Sequence, residues 1–181
     1  MNDSIRLFVA APIPEKLKAE LGELLQAFEH PAIRFMPPQN LHLTLYFIGN
    51  VPPQELPRIQ EQLQTAAHQY ASFTLQLDAL ELGPKPHAPR LVWARFAPNP
   101  VFEALSRHLV QALAPEPAQP LKTIPHITLA RFRKDAPKPA GLPPVHSPTP
   151  LQLPVSSFSL WQSELASPHP IYRVLQNYPL S

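Results

Sequence analysis

The chain has 181 residues, 44% of them hydrophobic and 15% charged, with a net charge of +2. That is the composition of one folded domain, or of two small lobes sharing a core, rather than of a disordered chain. It contains no cysteine, which excludes disulfides, thiol nucleophiles and thiolate-bound zinc, and so small a net charge leaves any anion site to be assembled locally.

The N-terminal segment MNDSIRLFVAAPIPEKL has no charged leader followed by a sustained apolar run, and no stretch of about 20 apolar residues occurs. Neither a signal peptide nor a membrane span is expected. The segment RLFVA from Arg6 reads as a strand. Pro14 then suits the first turn of a helix reaching about Phe28, in which Leu17, Leu21, Leu24, Leu25 and Phe28 recur at the helical period. Residues 40–50, NLHLTLYFIGN, form a strand that alternates His42 and Thr44 on one face with Leu43 and Leu45 on the other. A second helix covers Leu56 to Tyr70 and carries Ile59, Leu63, Ala66 and Ala67; the strand FTLQLDALEL begins at Phe73.

After that the pattern restarts. RLVWA from Arg90 is a strand, and Val101, Leu105, Leu109 and Leu113 mark a helix ending before Pro115. IPHITLARF supplies a strand with His126 and Thr128 on one face, Ile127 and Leu129 on the other. Residues 135–150 are too rich in proline for a helix and read as a loop. FSLWQSEL from Phe158 and a last strand, IYRVLQNYPL, complete the chain. The 27 prolines set against 4 glycines are read as stiffened loops.

The restart has a fixed spacing. Arg6 and Arg90 are 84 residues apart, His42 and His126 are 84 apart, and Phe73 and Phe158 are 85 apart. Three segments in one order at nearly one offset indicate a duplicated unit. The expectation is an α+β protein: a single bilobal domain over residues 1–181, with repeat units at about 5–82 and 89–165 and a C-terminal strand at about 170–180. Each lobe is a small, mostly antiparallel sheet with helices outside, and a pseudo-twofold axis leaves a central cleft, a common place for a small ligand.

If the lobes face each other, two His and two Thr converge. Imidazole titrates near 6.5, so one ring can accept a proton while the other gives one. Threonine hydroxyls can donate to phosphate oxygens where charge develops. The set suits a phosphate diester and calls for neither metal nor cofactor: the motifs carry no carboxylate, and the glycines, Gly22, Gly49, Gly83 and Gly141, form no phosphate-cradling loop. His30, His68, His108 and His146 read as surface or helix residues, while His87 and His169, in proline-rich turns, are candidates for the cleft rim.

The motifs HLTL and HITL, with flanks NLHLTLYFIG and PHITLAR, together with RLFVA, PIP, FSLWQSEL and YRVLQNYPL, resemble the two-histidine (2H) phosphoesterase superfamily. The similarity is to its bacterial and archaeal branch, the RNA 2′,3′-cyclic phosphodiesterases or 2′-5′ RNA ligases. It implies metal-independent hydrolysis of an RNA 2′,3′-cyclic phosphate to a 2′-phosphate, with His42 as proton donor to the 3′ oxygen and His126 as proton acceptor from water. Sequence symmetry alone does not assign those roles. Thr44, Thr128 and Arg131 are the expected phosphate-binding residues. The family pattern often places an aromatic five residues after the first His and Arg five after the second; here these are Phe47 and Arg131. Strict alternation puts both on the face away from the histidines, so a bulge, strong twist or strand end is required to bring them in. Tyr46 has the right parity and is the alternative base-stacking residue.

The partner expected is an RNA with a 2′,3′-cyclic end, tRNA fragments and small cyclic nucleotides included, with no cofactor, no metal and no membrane. The protein is expected to be a cytoplasmic monomer. Two rival readings stand beside hydrolysis: 2′-5′ RNA ligation, the reverse direction through the same site, and an RNA-end binding protein with little turnover. Intact histidines in both motifs argue against the last, because binding alone needs no matched acid and base.

Overall fold

A computed structural model describes residues 3–114, 123–139 and 141–181. Among the described residues, nine strands and three α-helices follow one another along the chain. They are β1 (Ile5–Ala11), α1 (Glu15–Leu25), β2 (Ile33–Phe35), β3 (Leu43–Val51), α2 (Leu56–Gln69), β4 (Phe73–Gly83), β5 (Leu91–Phe96), α3 (Pro100–Leu113), β6 (His126–Phe132), β7 (Gln152–Val155), β8 (Ser157–Glu164) and β9 (Ile171–Pro179). The apolar spacing that predicts the three helices is the spacing they bury: Leu17, Leu21 and Leu25 in α1, Ile59, Leu63, Ala66 and Ala67 in α2, Leu105, Leu109 and Leu113 in α3. Asn99 starts α3 by accepting from the Val101 and Phe102 backbone N–H groups at 3.0 Å, which satisfies two donors that the first turn would otherwise leave open.

The strands form two antiparallel sheets, ordered β3-β1-β8-β9 and β2-β6-β5-β4-β7. Their arrangement carries the sequence repeat with one exchange. The strand that opens each unit pairs with the strand of its His-x-Thr motif, β1 with β3 and β5 with β6. The last strands of the repeat trade places: β4 of the first unit pairs with β5, and β8 of the second pairs with β1. Each lobe is thus built from both halves of the chain.

Leu7, Val9, Leu43 and Leu45 on one sheet and Val92, Ala94, Ile127 and Leu129 on the other belong to one continuous buried core. Helix α3 packs on β3 and α2, and α2 packs on β8 and β9. The other face of the first sheet carries a separate aromatic group, Phe8 and Trp161 with Tyr172 against them. Residues 135–150, apart from Ala140, which lies outside the described residues, form no helix; Val145 bridges Leu80 of the second sheet, and His146 Nδ1 lies 3.1 Å from the Asp78 carbonyl oxygen on the same strand. Two strands escape the sequence pattern. β2 has only three residues, too few to show alternation, and β7 contains Pro154, which is tolerated because β7 is the edge of its sheet. No helix among the described residues is long and apolar enough to cross a membrane.

Candidate active site

The two histidines are held in the same way. His42 lies just before β3 and its Nδ1 is 2.7 Å from the carbonyl oxygen of Asn40; His126 opens β6 and its Nδ1 is 2.7 Å from the carbonyl oxygen of Ile124. A carbonyl only accepts, so Nδ1 carries a proton in both rings and Nε2 is the atom left to exchange one. The residue two before each histidine is the acceptor, and the arrangement recurs at the repeat spacing. Asn40 is itself buried and fixed from the other side, its Nδ2 donating to the Pro170 carbonyl at 2.9 Å. The β8–β9 connection therefore helps to set the acceptor that orients His42.

Beyond each histidine the strand is irregular at one repeated point. Val9 faces Tyr46 and Ala10 faces Thr44, which leaves Leu45 as an extra residue in β3. Trp93 faces Thr128 and Val92 faces Ala130, which leaves Leu129 extra in β6. Leu45 and Leu129 are 84 residues apart. One added residue reverses the parity of everything downstream. Thr44 and Thr128, before the bulges, keep the faces expected of them. After the bulge Phe47 stands opposite Phe8, whose ring lies 4.9 Å from that of His42, so Phe47 shares the histidine face. It remains 48% exposed there, with the Arg6 guanidinium 4.9 Å from its ring centre. Arg131 stands opposite Leu91, in phase with Trp93, and its charge bears on His42. Tyr46 is corrected by the same bulge: it pairs with the core residue Val9 and packs against the core, away from the histidines.

Aromatic rings surround the His42 imidazole, and one packs on that of His126. Around His42 the ring centres of Phe8, Tyr172 and Trp161 lie at 4.9, 5.3 and 5.6 Å. His126 packs on Trp93 at 4.8 Å. Trp93 is fixed by its indole N–H donating to Glu81 at 3.2 Å, and Glu81 is held by Arg95 at 2.5 Å. Its ring also lies across Gly83: a Cβ there would sit 2.7 Å from Trp93 Cε2. Gly83→Ala is accordingly expected to displace the indole, to cost about 1–3 kcal/mol in overpacking, and to lower turnover about 10-fold through the misplaced His126. Denaturant unfolding, tryptophan emission and kcat measured on one preparation check this.

None of these surrounding residues, Asn40, Phe8, Trp161, Tyr172, Trp93 and Gly83, stands out as a site residue in the sequence. The signal available was the alternation of Arg6, Phe8 and Ala10 on one face of β1, which points the same way as His42 once β1 and β3 are paired.

Burial lowers the pKa of His42 from 6.5 to about 4; the Asn40 carbonyl opposes this, and the charges of His126 and Arg131 add to it. Burial also lowers His126, opposed by the Ile124 carbonyl. Both shifts favour neutral rings, and both oppose protonation until an anion enters. Among the described residues no three His, Asp or Glu side chains converge as a metal site. The charges of His126 and Arg131 both bear on His42, while strand alternation puts Thr44 and Thr128 on the faces of their own histidines; two imidazoles and an arginine so placed are groups that can move protons at a phosphate without a nucleophilic side chain.

Comparison with known proteins agrees with this picture. The model of the 2′-5′ RNA ligase superfamily matches residues 13–166. A Thermus thermophilus protein named RNA 2′,3′-cyclic phosphodiesterase is 36% identical over 97% of this chain and 90% of its own length. A protein of the same name from Archaeoglobus fulgidus is 27% identical over 95% and 98%. Among solved structures, TT0787 of Thermus thermophilus superposes with a TM-score of 0.85 at 34% identity, covering 97% of each chain. Escherichia coli LigT complexed with 3′-AMP superposes with a TM-score of 0.78 at 26% identity, covering 99% of each.

Proposed function

The chain belongs to the 2′-5′ RNA ligase superfamily, and from that premise we propose that it hydrolyses RNA 2′,3′-cyclic phosphate ends to 2′-phosphomonoesters. The observation that carries the reading is the twin histidine arrangement, each Nδ1–H tied to a carbonyl two residues back and each Nε2 without a hydrogen-bond partner among the described residues. In this reading Nε2 of His126 accepts a proton from the attacking water, the P–O3′ bond breaks, and Nε2–H of His42 returns a proton to the 3′ oxygen. Thr44, Thr128 and Arg131 bind the non-bridging oxygens, where charge accumulates. Phe47, exposed on the same face, stacks on the terminal base.

A protonated His42 is a strong acid because its site disfavours the charge; the phosphate anion supplies the charge that populates it. That LigT is complexed with 3′-AMP and with phosphate supports a nucleotide phosphate as the ligand of this chain. A 5′-hydroxyl in place of water turns the same chemistry into 2′-5′ ligation, which the family's name favours as the second activity. The reading takes the protein as a cytoplasmic monomer acting on RNA ends, tRNA fragments and small cyclic nucleotides among them, with no cofactor.

Incubating a short RNA that ends in a 2′,3′-cyclic phosphate, with EDTA and without ATP, tests the proposal. The expected product is the 2′-phosphate, formed at the same rate with and without the chelator. A 3′-phosphate product, or activity lost to EDTA and restored by one divalent ion, would overturn it.

A further inference from the structure

A cavity of about 520 Å³ is lined by Arg34, Arg131, Arg133 and Lys134 with Asp135 and His169. That is four cations against one carboxylate in a chain whose net charge is only +2. None of the four cations is paired with a carboxylate among the described residues. The topology brings them together. Arg34 on edge strand β2 stands opposite Arg131 on β6, so both point to the same face, and Arg133 and Lys134 follow where β6 ends. The opposite wall is the β8–β9 connection, to which Arg34 donates through the Pro168 carbonyl at 3.3 Å.

Two residues link the cavity to the histidine site. Arg131 lines it while its charge bears on His42. Pro170 lines it while its carbonyl holds Asn40, the residue that orients His42. Its volume falls within the range of about 300–1,000 Å³ typical of small-ligand sites, and Met36 and Phe132 give it an apolar lining.

We infer that this cavity binds the phosphodiester of the RNA strand next to the terminal cyclic phosphate, so that the protein selects oligonucleotide ends over cyclic mononucleotides. The inference rests on the hydrolytic reading of the histidine site. Unpaired guanidinium and ammonium groups beside that site suit a strand phosphate, which arginine grips through two N–H donors and lysine attracts as a point charge. A cyclic mononucleotide has no phosphate to place there. A strand of two or more nucleotides does.

The test compares kcat/KM of the wild type and of Arg133→Ala/Lys134→Ala on a 2′,3′-cyclic mononucleotide, a trinucleotide with the same end, and that trinucleotide with a neutral methylphosphonate at its last internal linkage. The wild type is expected to prefer the charged trinucleotide about 10-fold or more. The double variant should reduce that preference about 10-fold, and the neutral linkage should remove most of it in the wild type. The salt dependence of trinucleotide binding should flatten in the variant by about 0.7–1.4 in the log–log slope, as expected for one or two lost contacts to a single strand. Equal kcat/KM for mononucleotide and trinucleotide, equal losses on both in the variant, or a preference that survives the neutral linkage would each overturn the inference. If neither cyclic substrate is turned over, the hydrolytic reading fails on its own. Binding of a 2′-phosphate-ended trinucleotide, followed by fluorescence anisotropy, then decides the cavity: a variant with wild-type affinity rejects it.

Discussion

Alanine at His42 or at His126 is expected to lower kcat/KM on a 2′,3′-cyclic end by about 10²- to 10⁴-fold, the range of a positioned proton donor or acceptor. Both rings line a face apart from the continuous core, so the folded state should survive each change. His42→Ala vacates the space between Phe8, Trp161 and Tyr172 and is expected to be the less stable of the two. His42→Gln keeps more of that packing and separates loss of chemistry from loss of structure. The double variant should lose far less than the product of the single losses, because a donor without its acceptor has little left to assist. Circular dichroism and thermal midpoints recorded beside the kinetics check the comparison. Near wild-type turnover in a folded single variant would remove that histidine from the mechanism.

The pH dependence should be nearly as large. The productive form of the proposed site has His42 protonated and His126 neutral. Activity is therefore lost as pH falls, when His126 gains a proton, and lost as pH rises, when His42 gives its proton up. Burial lowers both rings, His42 to about 4 and His126 below its usual value, so both limbs of kcat/KM, which reports the free enzyme, should lie below about 6.5. Beyond the upper limb the rate should fall about tenfold per pH unit. In the complex the phosphate charge raises both pKa values, and the optimum of kcat should shift to higher pH than that of kcat/KM. The limbs are properties of the coupled pair rather than of either residue. Stopped-flow single turnovers across pH 4–9 provide the measurement. A flat profile from about pH 5 to 9 with chemistry rate-limiting, or a kcat optimum on the acid side of the kcat/KM optimum, would contradict the two-histidine assignment.

The helices and most strands were legible because their periods are local properties of the chain, and His42 and His126 stood out because a strand repeats their context at one spacing. What was not legible depends on pairing between distant strands. Whether β1 takes β4 or β8 as its second neighbour cannot be read from patterning, because the duplication gives both candidates the same apolar alternation. The faces of Phe47, Arg131 and Tyr46 depend on Leu45 and Leu129 being extra residues, and they are extra only relative to Val9–Ala10 and Val92–Trp93 on neighbouring strands. Simple alternation gave Tyr46 the position that Phe47 occupies. The aromatic enclosure of His42 escaped notice for the same reason: Phe8, Trp161 and Tyr172 come from three strands that meet only in the folded sheet.

The exchange of β4 and β8 also bears on how the protein is made. The first half of the chain emerges from the ribosome with β1 and β3 able to pair, but β2 and β4 must wait for β5 and β6. The four-stranded sheet then stays open along β1 until Ser157–Glu164 has been synthesised. Neither lobe can therefore finish during translation of its own half, and the nascent chain carries an unpaired β1 edge for most of its synthesis. A ribosome stalled before β8 would hold a chain whose histidines are both present while Trp161 and Tyr172, two of the three rings around His42, are not yet made.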